Sequence, residues 1–377
     1  MSFKKIGISP ELRAQLVQFK LKEAYPIQNQ AIPSILKSKD VLGIAKTGSG
    51  KTLSYVLPIL MQSREVINLP NRHIPFLILV PTRELAVQVE EVFSIYSRAY
   101  QNGPKCMAVY GGVSINPQMK RLSGTSILVA TPGRLIELME SNALKLNRVQ
   151  TLVLDEADKM LNMGFREEME QIFKLLPKRR QNLLFSATLN EGIERIQGLI
   201  LRDPKIVKIE EAESDIELIQ QSAYAVEQEQ KGLLLRYLLK EKEMKQVLVF
   251  CSSIYQADHV SDKLKKNGFN SRAIHSKKSQ GARMDALRMF KDGQLNILVT
   301  TDLLARGIDI EFLPFVINYE LPRSPKDYIH RIGRTGRAEN PGEAISFISL
   351  KERPHFKVIQ KKMGKWIKLI YSEDMDL

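Results

Sequence analysis

The sequence predicts an α/β protein of two tandem domains, each a mainly parallel sheet flanked by helices, joined by a short flexible linker. Short continuous apolar runs recur along the chain, with amphipathic segments at helical spacing between them. Strands apolar on both faces that alternate with helices indicate parallel sheets covered on both sides. The alternation occurs twice, on either side of Glu210-Glu211-Ala212-Glu213-Ser214-Asp215, an acidic stretch without bulky apolar residues. A chain of 377 residues also exceeds one ordinary core. The expected boundaries are 1–209 for the first domain, 210–218 for the linker and 219–377 for the second.

In the first half the expected strands are Val41–Ile44, Phe76–Val80, Met107–Tyr110, Ile127–Ala130, Thr151–Leu154, Leu183–Phe185 and Ile206–Ile209. Helical periodicity marks Glu84–Tyr96, Arg134–Met139, Glu167–Leu176 and Ile193–Leu201. The second half offers strands at Ser222–Val226, Val247–Cys251, Arg272–His275, Ile297–Thr300, Phe315–Tyr319 and Ala344–Ile348. Its helices fall at Gly232–Lys240, Ile254–Lys266, Arg283–Phe290 and Pro325–Ile332. Beyond Leu350, the basic stretch Lys351–Ile370 carries Phe356, Ile359, Met363, Trp366 and Ile370 at roughly helical spacing. A closing helix with that stripe in the core is expected there, and a basic tail that grips a polyanion is the alternative. Asp374 and Asp376 end the chain on an acidic note.

The formal charge is 56 − 42 = +14, spread along the chain. Such a surplus favours a polyanionic partner, nucleic acid before membrane. The two cysteines, Cys106 and Cys251, lie far apart in apolar segments, which excludes a disulfide framework and a cysteine metal site. Met1-Ser2-Phe3-Lys4-Lys5 has no apolar signal region, and the longest apolar runs are too short to span a bilayer. A cytoplasmic protein with no membrane partner is expected.

In open α/β sheets, ligand groups collect at the carboxyl ends of the strands. The first strand runs into Ala45-Lys46-Thr47-Gly48-Ser49-Gly50-Lys51-Thr52, and a helical pattern follows. A strand turning through glycines into a helix aims backbone N–H groups at one point and binds phosphate. Lys51 supplies a charge for the β- and γ-phosphates and Thr52 a hydroxyl for Mg²⁺. The loop departs from the strict pattern, with Ala45 at the first glycine position. After Thr151–Leu154 comes Asp155-Glu156-Ala157-Asp158. Asp155 suits Mg²⁺ opposite Thr52, and Glu156 is placed to orient or deprotonate an attacking water. Arg334 and Arg337 lie three apart in a glycine-flanked run, suited to offsetting charge on a γ-phosphate.

Taken with Pro81–Leu85, Thr131–Arg134, Ser186–Thr188 and His330–Arg337, these motifs resemble those of the DEAD-box RNA helicase family, in family order from Phe3 to about residue 350. The likeness is to a compact bacterial-type core. The resemblance implies two RecA-like domains, ATP and Mg²⁺ as cofactors, and RNA-stimulated ATP hydrolysis. That hydrolysis would be coupled to domain closure, local duplex unwinding and RNP remodelling without sequence preference.

By the same resemblance, Gln28 reads the adenine edge, with Phe3 and Tyr25 around it, and Asp309 reaches the ribose or nucleotide. Asp158, Ser186, Thr188 and His330 couple the ATP site to the RNA site. The RNA contacts implied are Arg83, Gly111, Gly112, Thr131, Gly133 and Arg134 in the first domain, and Gln280, Arg283, Thr300 and Gly307 in the second. Small residues let phosphates approach backbone N–H groups, and arginines grip them bidentately. The implied partner is RNA, single-stranded or duplex, held along its backbone by a monomeric core, in settings that include ribosome assembly and RNA decay. The chain departs from the family pattern at Lys46, at Ser276 after His275, at Lys20-Leu21 where a Gly-aromatic pair is usual, and at Tyr25. Tyr25 is expected to supply the lost aromatic contact. Two other readings use the same motifs: an ATP-dependent DNA translocase, and a non-catalytic RNA clamp.

Overall fold

The computed structural model describes residues 1–46, 48–64, 66, 72–209, 219–302, 310, 313–336 and 342–371. Thr47, the linker 210–218, Gly307, Asp309, Arg337, Asp374 and Asp376 lie outside the described residues. The chain forms two compact units, Met1–Glu211 and Ala212–Leu377.

The first unit holds a seven-stranded sheet of β1 (Val41–Ile44), β2 (Phe76–Leu79), β3 (Cys106–Val109), β4 (Ile127–Ala130), β5 (Thr151–Leu154), β6 (Gln181–Ser186) and β7 (Lys205–Lys208). Every pairing is parallel, in the order β3-β4-β2-β5-β6-β1-β7. Parallel strands need both faces covered. Along β2, Phe76 and Ile78 enter one core cluster and Leu77 and Leu79 the other. That is why the strands read as continuous apolar runs.

The second unit repeats the plan with β8 (Ile219–Ala225), β9 (Val247–Cys251), β10 (Ser271–Ile274), β11 (Ile297–Thr301), β12 (Phe315–Asn318), β13 (Gly342–Ile348) and β14 (Leu369–Tyr371). Its order is β10-β11-β9-β12-β13-β8-β14, again all parallel. Counted from the first strand of each unit, both sheets read 3-4-2-5-6-1-7. Val247 and Val249 face one cluster and Leu248 and Phe250 the other.

The helices begin where polar residues follow the strands. Thr82 caps Arg83–Ser97 by accepting from the Leu85 N–H, and Asn190 caps Glu191–Ile200 through the Ile193 N–H. Ser253 and Ser279 do the same for Ile254–Lys266 and Gln280–Lys291. A lost cap costs about 1 kcal/mol. Helices that the periodicity did not mark also form, at Pro10–Gln18, Pro26–Leu36, Ile115–Arg121 and Ala157–Asn162. Ile115–Arg121 and Ala157–Asn162 are too short to show a period, and the other two open on proline, a residue suited to the first helical turn. Lys20 takes φ +59 just past the first of them. That left-handed position explains why glycine suits it better.

The C-terminal stretch differs from the expected single helix. The helix Arg353–Met363 stops at Gly364, whose φ of +72 is a left-handed C-terminal cap, and an extended segment follows into β14. Phe356 and Ile359 are in the core as expected. Trp366 is not: it stands 68% exposed, because the extended segment resets the period to two and turns Trp366 outward while Ile367 packs inward. No helix among the described residues is long and apolar enough to cross a membrane.

Candidate functional site

In the first unit the phosphate loop, the acidic turn and the turn after β6 meet at the carboxyl ends of neighbouring strands β1, β6 and β5. The loop leaves β1 with the Ala45 N–H donating to the Ser186 carbonyl at 3.1 Å. Within it, the Ser49 hydroxyl donates to the Lys46 carbonyl at 2.8 Å, and Gly48 and Gly50 take φ of +72 and +88. Lys51 opens the helix Lys51–Ser63 and is 7% exposed. Its ammonium donates to the carbonyls of Ala45 and, at 2.9 Å, Lys46. Burial lowers its pKa, and the carboxylates of Asp155, Glu156 and Asp158 work the other way.

Gln28 joins this loop to the N-terminal segment. Fully buried, it accepts from the Tyr25 N–H at 2.9 Å and donates to the Gly50 carbonyl at 3.0 Å. A Cβ on Gly50 would stand 2.5 Å from Gln28 Nε2 and 3.1 Å from the Tyr25 ring, so the glycine is what lets all three approach. Tyr25 is 44% exposed, whereas Phe3 lies in the core. The aromatic surface bordering the phosphate loop is therefore that of Tyr25.

Asp155 and Glu156 sit where β5 ends. The Asp155 N–H donates to the Leu79 carbonyl, and its carboxylate, 2% exposed, accepts on both oxygens. Oδ1 takes the Glu156 N–H at 2.9 Å and Oδ2 takes the Tyr55 hydroxyl at 2.7 Å. Burial and the neighbouring Glu156 push the Asp155 pKa up to about 6, against the pull of Lys51 and Tyr55. Burial and Asp155 in turn hold the Tyr55 phenol well above its usual range, so it remains a donor.

Glu156 adopts φ +52 at the start of the helix Ala157–Asn162. Its Oε1 accepts from Lys159 at 2.6 Å, while Oε2 is buried without a hydrogen-bond partner. Ser186 Oγ donates to the Thr188 carbonyl at 2.8 Å, and the Thr188 hydroxyl donates to Asp158 Oδ2 at 3.2 Å. The acidic turn and the turn after β6 are thus one hydrogen-bonded unit.

A second cluster forms where β2, β3 and β4 end, three adjacent strands. Arg83 lies against Gly112, where a Cβ would stand 2.0 Å from its guanidinium. Arg134, buried, donates to Glu137 at 2.8 Å and to the Val113 carbonyl at 2.7 Å. It therefore ties the Thr131–Arg134 turn to the Gly111-Gly112 loop. A Cβ on Gly111 or on Gly133 would meet nothing within 4 Å, which leaves open space at both. Gln118 clamps the same loop, accepting from the Tyr110 N–H at 2.9 Å and donating to its carbonyl at 3.1 Å.

In the second unit, Gln280 accepts from Arg283 at 2.6 Å, and their helix follows β10, whose neighbour β11 contains the fully buried Thr300. His330 is exposed and Arg334 buried. Between them, Arg331 is 2% exposed and holds Asp302 with two bonds of 2.5 and 2.8 Å. It also donates to Asn318 and the Glu320 carbonyl and lies 4.8 Å over the Phe250 ring.

Tyr55, Gln118, Asp302 and the anchoring part played by Arg331 are absent from the sequence-based site. One signal points to Tyr55: a phenol hydroxyl one helical turn after Thr52, on the same helix face.

Residues 25–196 match the family model for the DEAD/DEAH box helicase, and residues 230–339 match that for the helicase conserved C-terminal domain. A DEAD-box ATP-dependent RNA helicase CshA of Streptococcus pneumoniae is 42% identical over 369 residues, 98% of this chain and 69% of that one. The chain belongs to the DEAD-box ATP-dependent RNA helicase family. Other DEAD-box relatives include CshA of Bacillus subtilis, 38% identical over 96% of this chain and 72% of its own. Among solved structures, Saccharomyces cerevisiae Dbp5 bound to RNA and ADP BeF3 aligns with a TM-score of 0.83 at 28% identity, covering 99% of this chain and 96% of that one. A DEAD box protein from Methanococcus jannaschii is 36% identical, with a TM-score of 0.55 over 98% and 99% of the two chains. The fold is that of two tandem RecA-like domains. Relative to the DEAD-box family models, Phe3, the helix Arg353–Met363 and β14 lie outside the matched residues.

Proposed function

We propose that this DEAD-box protein hydrolyses ATP when RNA is bound, and that the cycle separates short RNA duplexes and remodels RNA–protein particles without reading sequence. The observation that carries the reading is the hydrogen-bonded chain from phosphate loop to acidic turn, through Ala45–Ser186 and Thr188–Asp158. It links the group that would hold the phosphates to the turn that would act on them. The relatives named as ATP-dependent RNA helicases and the match to Dbp5 with RNA and a nucleotide analogue support the choice of ATP and RNA.

Lys51 and the loop N–H groups would hold the phosphates, and Gln28 and Tyr25 the base. Glu156 Oε2, buried and unpartnered, is the group we assign to the attacking water. Arg334 and Arg337 would offset charge developing on the γ-phosphate. Arg83, the Gly111-Gly112 loop, Thr131, Gly133 and Arg134 would take RNA phosphates, with Gln280, Arg283, Thr300 and Gly307 continuing the track. Such groups meet backbone rather than base edges, and 2′-hydroxyls would select RNA.

The residues fit Mg²⁺. That ion takes oxygen ligands, keeps several waters, and is commonly held by one or two carboxylates together with substrate phosphates. Among the described residues no cluster of three or more His, Cys, Asp or Glu could hold a metal alone, so phosphate oxygens would complete the set around Thr52 and Asp155. The ion would neutralise phosphate charge there. Tyr55 holds Asp155, and Tyr55→Phe is expected to raise the Mg²⁺ concentration for half-maximal turnover about tenfold, the loss of one buried charge-assisted hydrogen bond. ADP binding without Mg²⁺ should be unchanged; a joint loss of both would mean a packing role instead.

Tyr25→Ala is expected to raise the KM for ATP several-fold with kcat little altered, and an unchanged KM would remove Tyr25 from the base site. The whole reading is tested by release of the shorter strand from a brief RNA duplex. Release should require ATP and fail on the same sequence as DNA. Release from DNA at equal rates would favour a DNA translocase, and binding without phosphate release would favour the clamp.

A further inference from the structure

At the opposite end of the first sheet from the phosphate loop, where β6 begins and the helices Arg166–Leu175 and Glu191–Ile200 end, lies a groove of about 520 Å³. Lys174, Lys178, Arg180, Arg195 and Arg202 line it, against one carboxylate, Glu170. Five cations around one concave surface would ordinarily be interleaved with acids on a soluble domain. Arg180 shows that they are not. Its guanidinium donates at 2.7 Å to a neutral acceptor, the Pro177 carbonyl, and its Nε is buried without a partner. Burial and the nearby Arg202 both act against its charge, and Asp40 works the other way.

Other groups at this end are already bonded. Asp40 accepts from the Asn182 and Arg202 backbone N–H groups and from the Asn182 side chain, and the Ile200 carbonyl takes the second Asn182 donor bond. The fold therefore holds two arginines together, Arg180 half-buried and Arg202 exposed, with the hydrogen-bonded Asp40 the one carboxylate that acts on Arg180. An anion with several oxygens relieves that arrangement, and a phosphate matches the arginine fork better than a single carboxylate does.

We propose that this groove is a second phosphate-binding site, distinct from the nucleotide loop, which takes the phosphate groups of either a small polyphosphorylated compound or an RNA strand. The five cations supply the charge, and Arg180, half-buried with its Nε unpartnered, sets the position.

The test uses the full chain saturated with ADP and Mg²⁺, so that the first site is filled, titrated calorimetrically with inorganic tripolyphosphate. One binding event is expected to remain and to weaken about tenfold or more in Arg180→Gln/Arg202→Gln. Lys178→Gln/Arg195→Gln, which alters exposed side chains, should weaken it in the same direction with the melting temperature and ADP affinity unchanged. A second arm measures binding of labelled oligouridine against salt. Loss of two phosphate contacts lowers the log–log slope by about 1.4 on a single strand. A lowered slope assigns the groove to RNA, and an unchanged slope with weakened tripolyphosphate binding assigns it to a small polyphosphate. If neither probe distinguishes the variants from the parent chain, the proposal is wrong.

Discussion

Glu156→Gln is expected to lower kcat for ATP hydrolysis by about 10²–10⁴-fold, the range over which a positioned general base acts. The substitution keeps the shape and the backbone and removes the ability to accept a proton. ATP affinity should stay near that of the parent chain, because the phosphates are assigned to Lys51 and the loop. Glu156 earns this role by geometry. Its left-handed backbone turns it out of line with β5, its Oε1 is held by Lys159 at 2.6 Å, and its Oε2 is left for a ligand. Single-turnover phosphate release checks the rate and equilibrium binding of a fluorescent nucleotide checks the affinity. Full turnover in the variant would remove Glu156 from the chemistry.

Arg331→Met is expected to destabilise the second unit by about 3 kcal/mol, because the fully buried Asn318 and the partly exposed Asp302 both lose their donor. The change leaves Asp302, Asn318 and the Glu320 carbonyl without their donor and takes a cation from the Phe250 ring. For a unit of this size that corresponds to a melting temperature lower by about 6–12 °C. Arg331→Lys should recover little, since a point charge does not reproduce the paired bonds to Asp302. Calorimetry that separates the two units should show the loss in the second alone. A shift of less than a degree would mean that Arg331 is not the anchor of its segment.

The two sheets were legible because parallel strands buried on both faces spell continuous apolar runs, and Phe76–Leu79 and Val247–Cys251 do so plainly. The nucleotide residues were legible for the same reason. A parallel sheet delivers whatever follows each strand to one edge, so Lys51, Asp155 and Ser186 had to converge. Residues whose partners are distant in sequence were not. Tyr55 reads as one more core aromatic, and its acceptor lies a hundred positions on. Arg331 sits between two motif residues and gives no sign that it is buried. Trp366 followed a helical period that Gly364 interrupts, and a three-residue edge strand is too short to show a period of its own. The duplication of strand order was the one available clue to β14, since β7 holds the same place in the first sheet.

ATP turnover in this chain is expected to answer to RNA. Steady-state phosphate release, measured with Mg²⁺ and saturating ATP, tests it most directly when no nucleic acid, an RNA strand and a DNA strand of the same sequence are compared. Release is expected to be slow alone and with DNA, and to rise several-fold or more with RNA, a rise that Arg334→Ala abolishes. A rate that is the same in all three conditions would contradict it.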